Sequence, residues 1–196
     1  SKFITIDAHD HRTSEVRLID ADAPLTEPVL VEPRCIGHEY SVEHHGDKLI
    51  ITTNSEGAED FRIVETPVSA PGMQNWREII PHRPGCLVLD TVLFRNHMVR
   101  LERENGLPRI IVRRIADGAE HVIAFPEEAY SLGISPGYEF DTTTLRFVYS
   151  SMTTPAETYD YDMETRARVL RKRQQVPSGH NPADYVTRRL YAPARD

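Results

Sequence analysis

One short motif has the residue types and the spacing of a catalytic serine. Residues 133–137 read Gly-Ile-Ser-Pro-Gly and match the Gly-x-Ser-x-Gly pattern, in which a serine on a sharp strand-to-helix turn attacks a carbonyl carbon. This chemistry needs the backbone N–H of the residue after the serine to stabilise the oxyanion, and Pro136 has no N–H. The flanking residues also do not read as a buried strand followed by a helix. We therefore predict a turn between two sheets at Ser135 and no nucleophile.

Five other side chains could be ligands of a zinc ion, because imidazole and carboxylate groups bind this metal. They are His9, Asp10, His11, His44 and His45. Adjacent residues of a strand point to opposite faces, so His44 and His45 cannot both reach one ion from a regular strand. The other three lie in a polar connection. We predict solvated histidines in loops and on sheet surfaces, and no metal site.

A basic run and a pair of aspartates lie further along the chain. Asp160 and Asp162 alternate with tyrosines, which places both carboxylates on one strand face, where they could do acid–base work. Residues 166–173 contain five basic side chains that could contact RNA: Arg166, Arg168, Arg171, Lys172 and Arg173. No aromatic stacking ladder accompanies them and the formal net charge is −7, so we predict a solvated face near an interdomain surface and no nucleic-acid partner.

Neither a Gly-rich phosphate loop nor a Ser/His/Asp set can be assembled from the sequence. We predict no catalytic, cofactor-binding or metal-binding residue in this chain, and no cofactor. The elements that would position such residues read almost entirely as strands, which are short β-branched and aromatic runs bounded by Gly, Pro, Asn or Asp. The predicted strands are 3–7, 15–20, 29–32, 39–45, 48–53, 60–66, 76–80, 86–94, 97–104, 109–115, 121–125, 144–150, 157–163 and 168–172.

These strands fall into groups with a period of about 45–50 residues. Sheets of four antiparallel strands at this period indicate propeller blades, because such a sheet cannot cover its own two faces and stacks on its neighbours. We therefore predict an all-β partial β-propeller at 1–175, with about three full blades and a partial one. The predicted partial blade is 1–34 and the full blades are about 38–80, 86–125 and 138–175. Residues 176–196 read as a linker followed by the first strand of another domain, beginning at 189–192.

The composition sets further limits. Hydrophobic residues make up 39% of the chain and charged residues 27%, and no stretch approaches the roughly 18 apolar residues of a membrane span. We expect a soluble fragment of a larger protein, because the chain begins directly in an alternating strand pattern at Phe3. Cys35 and Cys86 have no Cys-x-x-Cys spacing, which predicts two buried free thiols and a reducing, cytoplasmic environment.

Three stretches are distinctive enough to compare with known proteins. They comprise residues 49–54 with 60–63, residues 81–83 with 93–97 and 102–107, and residues 139–142 with 145–155 and 159–162, of which 145–155 reads Leu-Arg-Phe-Val-Tyr-Ser-Ser-Met-Thr-Thr-Pro. Together with 175–177, 181–185 and 189–192, they resemble the propeller of oligopeptidase B, in the prolyl oligopeptidase family of serine peptidases, over essentially the whole chain. The turn at 165–167 departs from the pattern, since it lacks the expected glycine.

The resemblance implies a parent enzyme with a seven-bladed propeller that caps an α/β-hydrolase domain and admits short peptides for cleavage after basic residues. The propeller would act as a size filter and lid, and the serine, histidine and aspartate of the reaction would lie on the other domain. This chain would then be inactive alone, Asp160 and Asp162 would be ordinary blade residues, and the partners would be the hydrolase domain and short basic peptides.

Two alternatives stay open at this point. The chain could be a stand-alone propeller or β-sandwich that binds a protein partner, or it could belong to an oligopeptidase that cleaves after proline. A partial propeller leaves apolar blade faces uncovered, so we also expect the isolated chain to self-associate.

Overall fold

A computed structural model describes residues 2–193, and within that range the protein is an all-β structure of one three-stranded and three four-stranded antiparallel sheets. The predicted fold class is confirmed. Ser1, the first residue of the predicted propeller segment 1–175, lies outside the described residues. The same holds for residues 194–196, the last of the predicted linker segment 176–196.

Each sheet is a meander in which strands consecutive in sequence lie side by side. The first sheet contains β1 (Phe3–His9), β2 (Ser14–Asp20) and β3 (Val29–Glu32), and the second contains β4 (Tyr40–His45), β5 (Lys48–Thr53), β6 (Arg62–Pro67) and β7 (Arg77–Ile80). The third contains β8 (Cys86–Leu93), β9 (His97–Glu104), β10 (Leu107–Arg114) and β11 (Glu120–Val122). The last contains β12 (Ser131–Ile134), β13 (Thr144–Ser150), β14 (Glu157–Asp162) and β15 (Arg168–Arg173).

The chain divides into two compact units, Ser1–Leu93 and Phe94–Asp196. In the first unit, alternating apolar residues of the first two sheets form one core: Val16, Leu18, Val31, Tyr40, Leu49, Ile51 and Val64. Tyr40 also links these sheets, because its hydroxyl accepts the N–H of Val16 at 2.8 Å and donates to the carbonyl of Glu32 at 2.6 Å. Burial raises the pKa of this phenol, so it remains a hydrogen-bond donor.

The second unit has an aromatic core on the last sheet. Phe147 is fully buried, and the ring of Phe125, from the preceding loop, packs edge-on against it at 5.6 Å and stacks on Tyr149 at 4.9 Å. The Arg168 guanidinium lies 4.7 Å from the centre of the Phe125 ring and donates a hydrogen bond to the Ala124 carbonyl at 2.8 Å. The outer strand β15 thereby holds the loop that leads into its own sheet.

A buried ion pair lies on the middle strand β9. Arg100 and Glu102 are 2% and 1% exposed, and the guanidinium donates to Glu102 at 2.8 Å. It also makes a two-point contact with Glu120 of β11 at 2.8 and 3.0 Å. Burial opposes the charge on Arg100, but the two carboxylates more than offset it and raise the pKa of the guanidinium.

Three local features differ from the sequence prediction. The strand β12 was not predicted, because Ser131-Leu132-Gly133-Ile134 is a short alternation that runs into Pro136. Residues 189–192 form no strand in the described chain, and the backbone N–H of Arg189 donates to the Glu128 side chain. In the glycine-free turn at 165–167, Arg166 itself takes the left-handed conformation, with φ of 63°.

Candidate functional site: the connector and its two loops

The chain continues from the last sheet into residues 174–193, a segment that we call the connector. It follows β15 and contains one short 3₁₀ turn at Pro182–Asp184. Because β13, β14 and β15 run antiparallel to their neighbours, the end of β15 lies at the same sheet edge as the 151–156 loop between β13 and β14. The 123–130 loop before β12 reaches this edge too, and the connector contacts both loops.

A single carboxylate organises these loops. Glu127 accepts hydrogen bonds from the hydroxyls of Ser151 at 2.7 Å and Thr154 at 3.1 Å, and from two further hydroxyls at short distance. The connector adds the Thr187 hydroxyl at 3.3 Å. We call this group the Glu127 cluster: Glu127, Tyr149, Ser151, Thr153, Thr154 and Thr187.

The Glu127 cluster fixes the charge state of its central group. Burial acts to raise the pKa of Glu127, but the hydroxyl donors stabilise the carboxylate more and lower the pKa to about 2. Tyr149 shifts the opposite way: burial and its hydrogen bond to the carboxylate raise the pKa of the phenol. The hydroxyl therefore donates and the carboxylate stays ionised at neutral pH.

The neighbouring Glu128 binds the connector directly. Its carboxylate pairs with the Arg188 guanidinium and accepts the backbone N–H of Arg189 at 3.1 Å. Both contacts lower the pKa of Glu128, and the hydrogen bond from the Arg189 backbone has the larger effect. The Arg189 guanidinium donates to the carbonyl of Asn105, in the turn between β9 and β10.

The start of the connector is held at the 151–156 loop. His180 Nε2 lies 2.7 Å from the Thr153 carbonyl, which can only accept, so this nitrogen carries the proton. The Tyr185 ring stacks on His180 with centres 5.3 Å apart. A cleft of about 540 Å³ remains between Pro155 and His180, lined partly by Arg173. Arg173 is paired with Glu157 at 2.6 Å, and the described side chains that line the cleft include no serine, threonine or cysteine that could act as a nucleophile.

Ser135 lies in an exposed loop and not between two sheets. The loop joins β12 to β13 inside the last sheet, which corrects the predicted position of this turn. The Ser135 backbone N–H donates to the Arg146 carbonyl at 2.8 Å, and Pro136 follows without an N–H. Within the described chain, no hydrogen bond joins the Ser135 side chain to a histidine or a carboxylate. The geometry of a nucleophile elbow is not formed here.

The predicted metal-ligand candidates serve local structure. His9 contacts Asp7 at 3.3 Å, and Asp10 accepts the backbone N–H groups of Arg12 and Thr13 at 2.8 and 2.9 Å. His44 contacts the Gly46 carbonyl at 2.8 Å. Among residues 2–193, no group of three or more His, Cys, Asp or Glu side chains is arranged to hold a metal ion.

The two aspartates of β14 have separate partners, and one residue of the basic run, Arg171, pairs with Asp160. Asp160 makes a two-point contact with Arg146 at 2.7 and 2.9 Å and pairs with Arg171 at 3.2 Å. Asp162 caps the following turn by accepting the N–H groups of residues 164 and 165 at 3.0 and 2.6 Å. Hydrogen bonds lower the pKa of both aspartates. The largest effect on Asp160 comes from the Arg146 side chain, and the largest effect on Asp162 comes from the backbone N–H of Thr165. A shared proton for acid–base work is not favoured.

The cysteine prediction was half wrong. Cys86 is buried, but Cys35 is exposed because it lies in the loop between β3 and β4, and neither cysteine forms a disulfide in the described chain. No helix in the described part of the chain has the length and apolar character needed to cross a membrane.

The sequence analysis did not identify the acceptors and donors that fix the connector: Glu127, Glu128, Thr187, Arg188 and Arg189. The one available signal was the run of hydroxyl residues at 150–154, which is unusual directly after a strand and suggests a shared acceptor nearby. Nothing in the sequence identifies Glu127 as that acceptor.

A family model described as "Prolyl oligopeptidase, N-terminal beta-propeller domain" matches residues 1–174. Dipeptidyl aminopeptidase BI of Pseudoxanthomonas mexicana is 40% identical over 100% of this chain and 27% of its own length. Protease 2 of Moraxella lacunata is 28% identical over 99% of this chain and 27% of its own.

Solved structures give the same result. Oligopeptidase B from Trypanosoma brucei, closed and with covalently bound antipain, matches with a TM-score of 0.86 and 30% identity over 95% of this chain and 28% of its own. Oligopeptidase B from Leishmania major matches with a TM-score of 0.88 and 25% identity over 99% of this chain and 29% of its own. The chain therefore spans little more than a quarter of the proteins it matches.

Proposed function

The chain belongs to the prolyl oligopeptidase family as part of its N-terminal β-propeller domain, and we propose that it is the non-catalytic propeller portion of a serine oligopeptidase that cleaves short peptides after arginine or lysine. The observation that carries this proposal is the match to oligopeptidase B along 95% of the chain with a TM-score of 0.86. One such structure holds covalently bound antipain.

In this proposal the propeller portion admits and excludes substrates, and the bond is broken on a hydrolase domain of the same protein. The propeller bars folded proteins sterically, and the connector is the path by which the chain leaves the last sheet. A lid of this kind controls turnover without contacting the reacting atoms. The formal net charge of −7 favours the approach of cationic peptides, within the roughly 8–10 Å over which charges act at physiological salt.

A second candidate function has its own support. The relative that is 40% identical over the whole chain is named a dipeptidyl aminopeptidase, so the parent protein would remove dipeptides from free N-termini. Prolyl endopeptidase structures also match, but at 20% identity with a TM-score of 0.79 they support the fold alone. A stand-alone interaction module fits less well, since the family match covers residues 1–174.

A substrate panel on the full-length protein tests these candidates. We expect rapid hydrolysis of an N-blocked arginyl reporter peptide and slow hydrolysis of the matching prolyl reporter. Preference for a dipeptide reporter with a free N-terminus over the blocked one would favour the second candidate. This chain expressed alone is the control, and we expect no hydrolysis from it. Cleavage of neither reporter class by the full-length protein would overturn the proposal.

The compartment and the association state are also part of the proposal. We place the protein in the cytoplasm, where the exposed thiol of Cys35 stays reduced, and fractionation of cells tests this. The isolated chain self-associates through apolar side chains such as Ile4 and Ile6 of β1, which are 44% and 42% exposed. A monodisperse monomer in light scattering would contradict that expectation.

A further inference from the structure

The connector is held to the last sheet by polar contacts rather than by apolar burial. Its large apolar side chains face solvent: Val186 is 66%, Leu190 90% and Tyr191 80% exposed. The hydrophobic effect, which fixes the sheets, therefore contributes little to keeping residues 186–191 in place. Within the described chain, hydrogen bonds and ion pairs are what hold this segment to the sheet.

Two adjacent glutamates supply several of those contacts, and they differ in how many partners they have outside the connector. Glu127 is fixed by four hydroxyls of β13 and the 151–156 loop before it accepts the weaker contact from Thr187 at 3.3 Å. Glu128 has its partners on the connector itself, the Arg188 guanidinium and the Arg189 N–H. Of the two glutamates, Glu127 is therefore held in place by the sheet and its loop, whereas the contacts of Glu128 with the connector can break.

We propose that Glu128 is a releasable latch on the connector, positioned by the anchored Glu127 next to it. While its carboxylate binds Arg188 and the Arg189 N–H, residues 187–190 stay on the sheet edge. When these two contacts break, the contacts of Thr187 with Glu127 and of Arg189 with Asn105 hold the stretch less firmly, and it leaves the edge more often. The structural part stands on the contacts alone, and the consequence for substrate admission rests on the proposed function.

The two contacts of Glu128 have the exposure that a reversible latch requires. The side chains of Arg188 and Glu128 are 65% and 45% exposed, so solvent and salt reach the ion pair. The Arg189 guanidinium adds its bond to the Asn105 carbonyl, which is also exposed. Ionic strength therefore weakens the latch, whereas the hydroxyl contacts of the Glu127 cluster, being neutral donors, respond less.

The residues held by the latch also provide a direct readout. Arg188 and Arg189 are adjacent, so trypsin cleaves after either one when the stretch leaves the sheet edge. The Arg189 N–H donates to Glu128, so its hydrogen-exchange rate reports the same opening without a protease.

The experiment uses the full-length protein and Glu128→Gln, which keeps the size of the side chain and removes its charge. The matched control is Glu139→Gln, an exposed glutamate in the loop between β12 and β13. We expect exchange at Arg189 and cleavage after Arg188 or Arg189 to accelerate about 3- to 10-fold in Glu128→Gln, the scale of losing an exposed ion pair and a charge-assisted hydrogen bond. Raising the salt concentration should accelerate the wild type and leave the variant nearly unchanged.

The outcomes separate the latch from the proposed function. Equal exchange and cleavage in Glu128→Gln and wild type would overturn the latch, whatever the peptidase does. If the latch opens as expected, the ratio of kcat/KM for a long and a short arginyl peptide should rise in the variant, and an unchanged ratio would overturn its role in substrate admission. Absence of peptidase activity from both proteins would overturn the proposed function and leave the result at Arg189 standing.

Discussion

The last sheet and the connector that follows it are held together by opposite means. In the sheet, Phe147 is fully buried and is packed by aromatic rings, so the structure persists by excluding water. In the connector, Leu190 is 90% exposed, and the segment is positioned by a few hydrogen bonds and ion pairs to Glu127 and Glu128. A change of conditions that leaves the sheet intact can therefore release the connector.

The largest effect that would test this contrast is expected from Phe147→Ala. Removing this buried ring leaves a cavity next to Phe125 and Tyr159 and should destabilise the full-length protein by about 3–5 kcal/mol. Urea unfolding measures it. Leu190→Ala is the control in the connector and should change stability by less than about 0.5 kcal/mol. Similar losses from both variants would show that the connector is packed like the sheet.

The next effect concerns the buried charges of β9. Arg100→Met should cost about 3 kcal/mol, because it removes the guanidinium that pairs with the buried Glu102 and with the more exposed Glu120. The exposed Arg103 on the same strand gives the control Arg103→Met, which we expect to be nearly neutral in the same unfolding assay. An Arg100→Met protein of unchanged stability would mean that apolar packing alone suffices here.

A smaller loss is expected from Glu127→Gln, and it depends on pH. The pKa of Glu127 is lowered from 4.5 to about 2 in the folded protein, so its charge stabilises the fold above pH 4.5, and this contribution is lost as the pH falls towards 2. The difference in unfolding midpoint between wild type and Glu127→Gln should therefore shrink across that range. Glu139→Gln serves again as the control. A difference that stays constant from neutral to acid pH would contradict the assigned charge state.

The smallest change in the sheet is expected from Arg168→Lys. A planar guanidinium can lie over the Phe125 ring and reach the Ala124 carbonyl together, whereas an ammonium cannot do both, and we expect a loss of about 1 kcal/mol. Arg171→Lys on the same strand keeps an exposed ion pair with Asp160 and should be neutral in thermal melting. Equal melting temperatures for the two variants would mean that the stacking contributes nothing.

Most strands could be predicted from the sequence, because the residue types that favour a strand and the turn residues that bound it lie within the same short stretch. The short apolar and β-branched run at 48–53 and the Gly46 turn before it are sufficient to place β5. The buried pair Arg100 and Glu102 could not be predicted, because polar residues that alternate with Val99 and Leu101 indicate a solvated face, while the structure buries Arg100 and Glu102. The rule that alternating polar residues face water holds for a sheet that has one face exposed to solvent.

The connector site was beyond sequence reasoning for a different reason. Glu127 and Thr187 are 60 positions apart, and their contact depends on how the 123–130 loop and the connector meet at one sheet edge. Hydroxyl and carboxylate side chains are common in loops, so neither position carries a pattern of its own. Only the three-dimensional structure shows that they share a hydrogen bond.

The loop between β12 and β13 offers a practical consequence. It leaves the last sheet at the edge opposite the connector, about 23 Å away if the seven residues of β13 are fully extended. Tyr138 at its tip is fully exposed. A fluorescent dye attached to a cysteine at that position would therefore give a fixed reference point, against which a second dye beyond residue 190 could follow the connector's movement in real time.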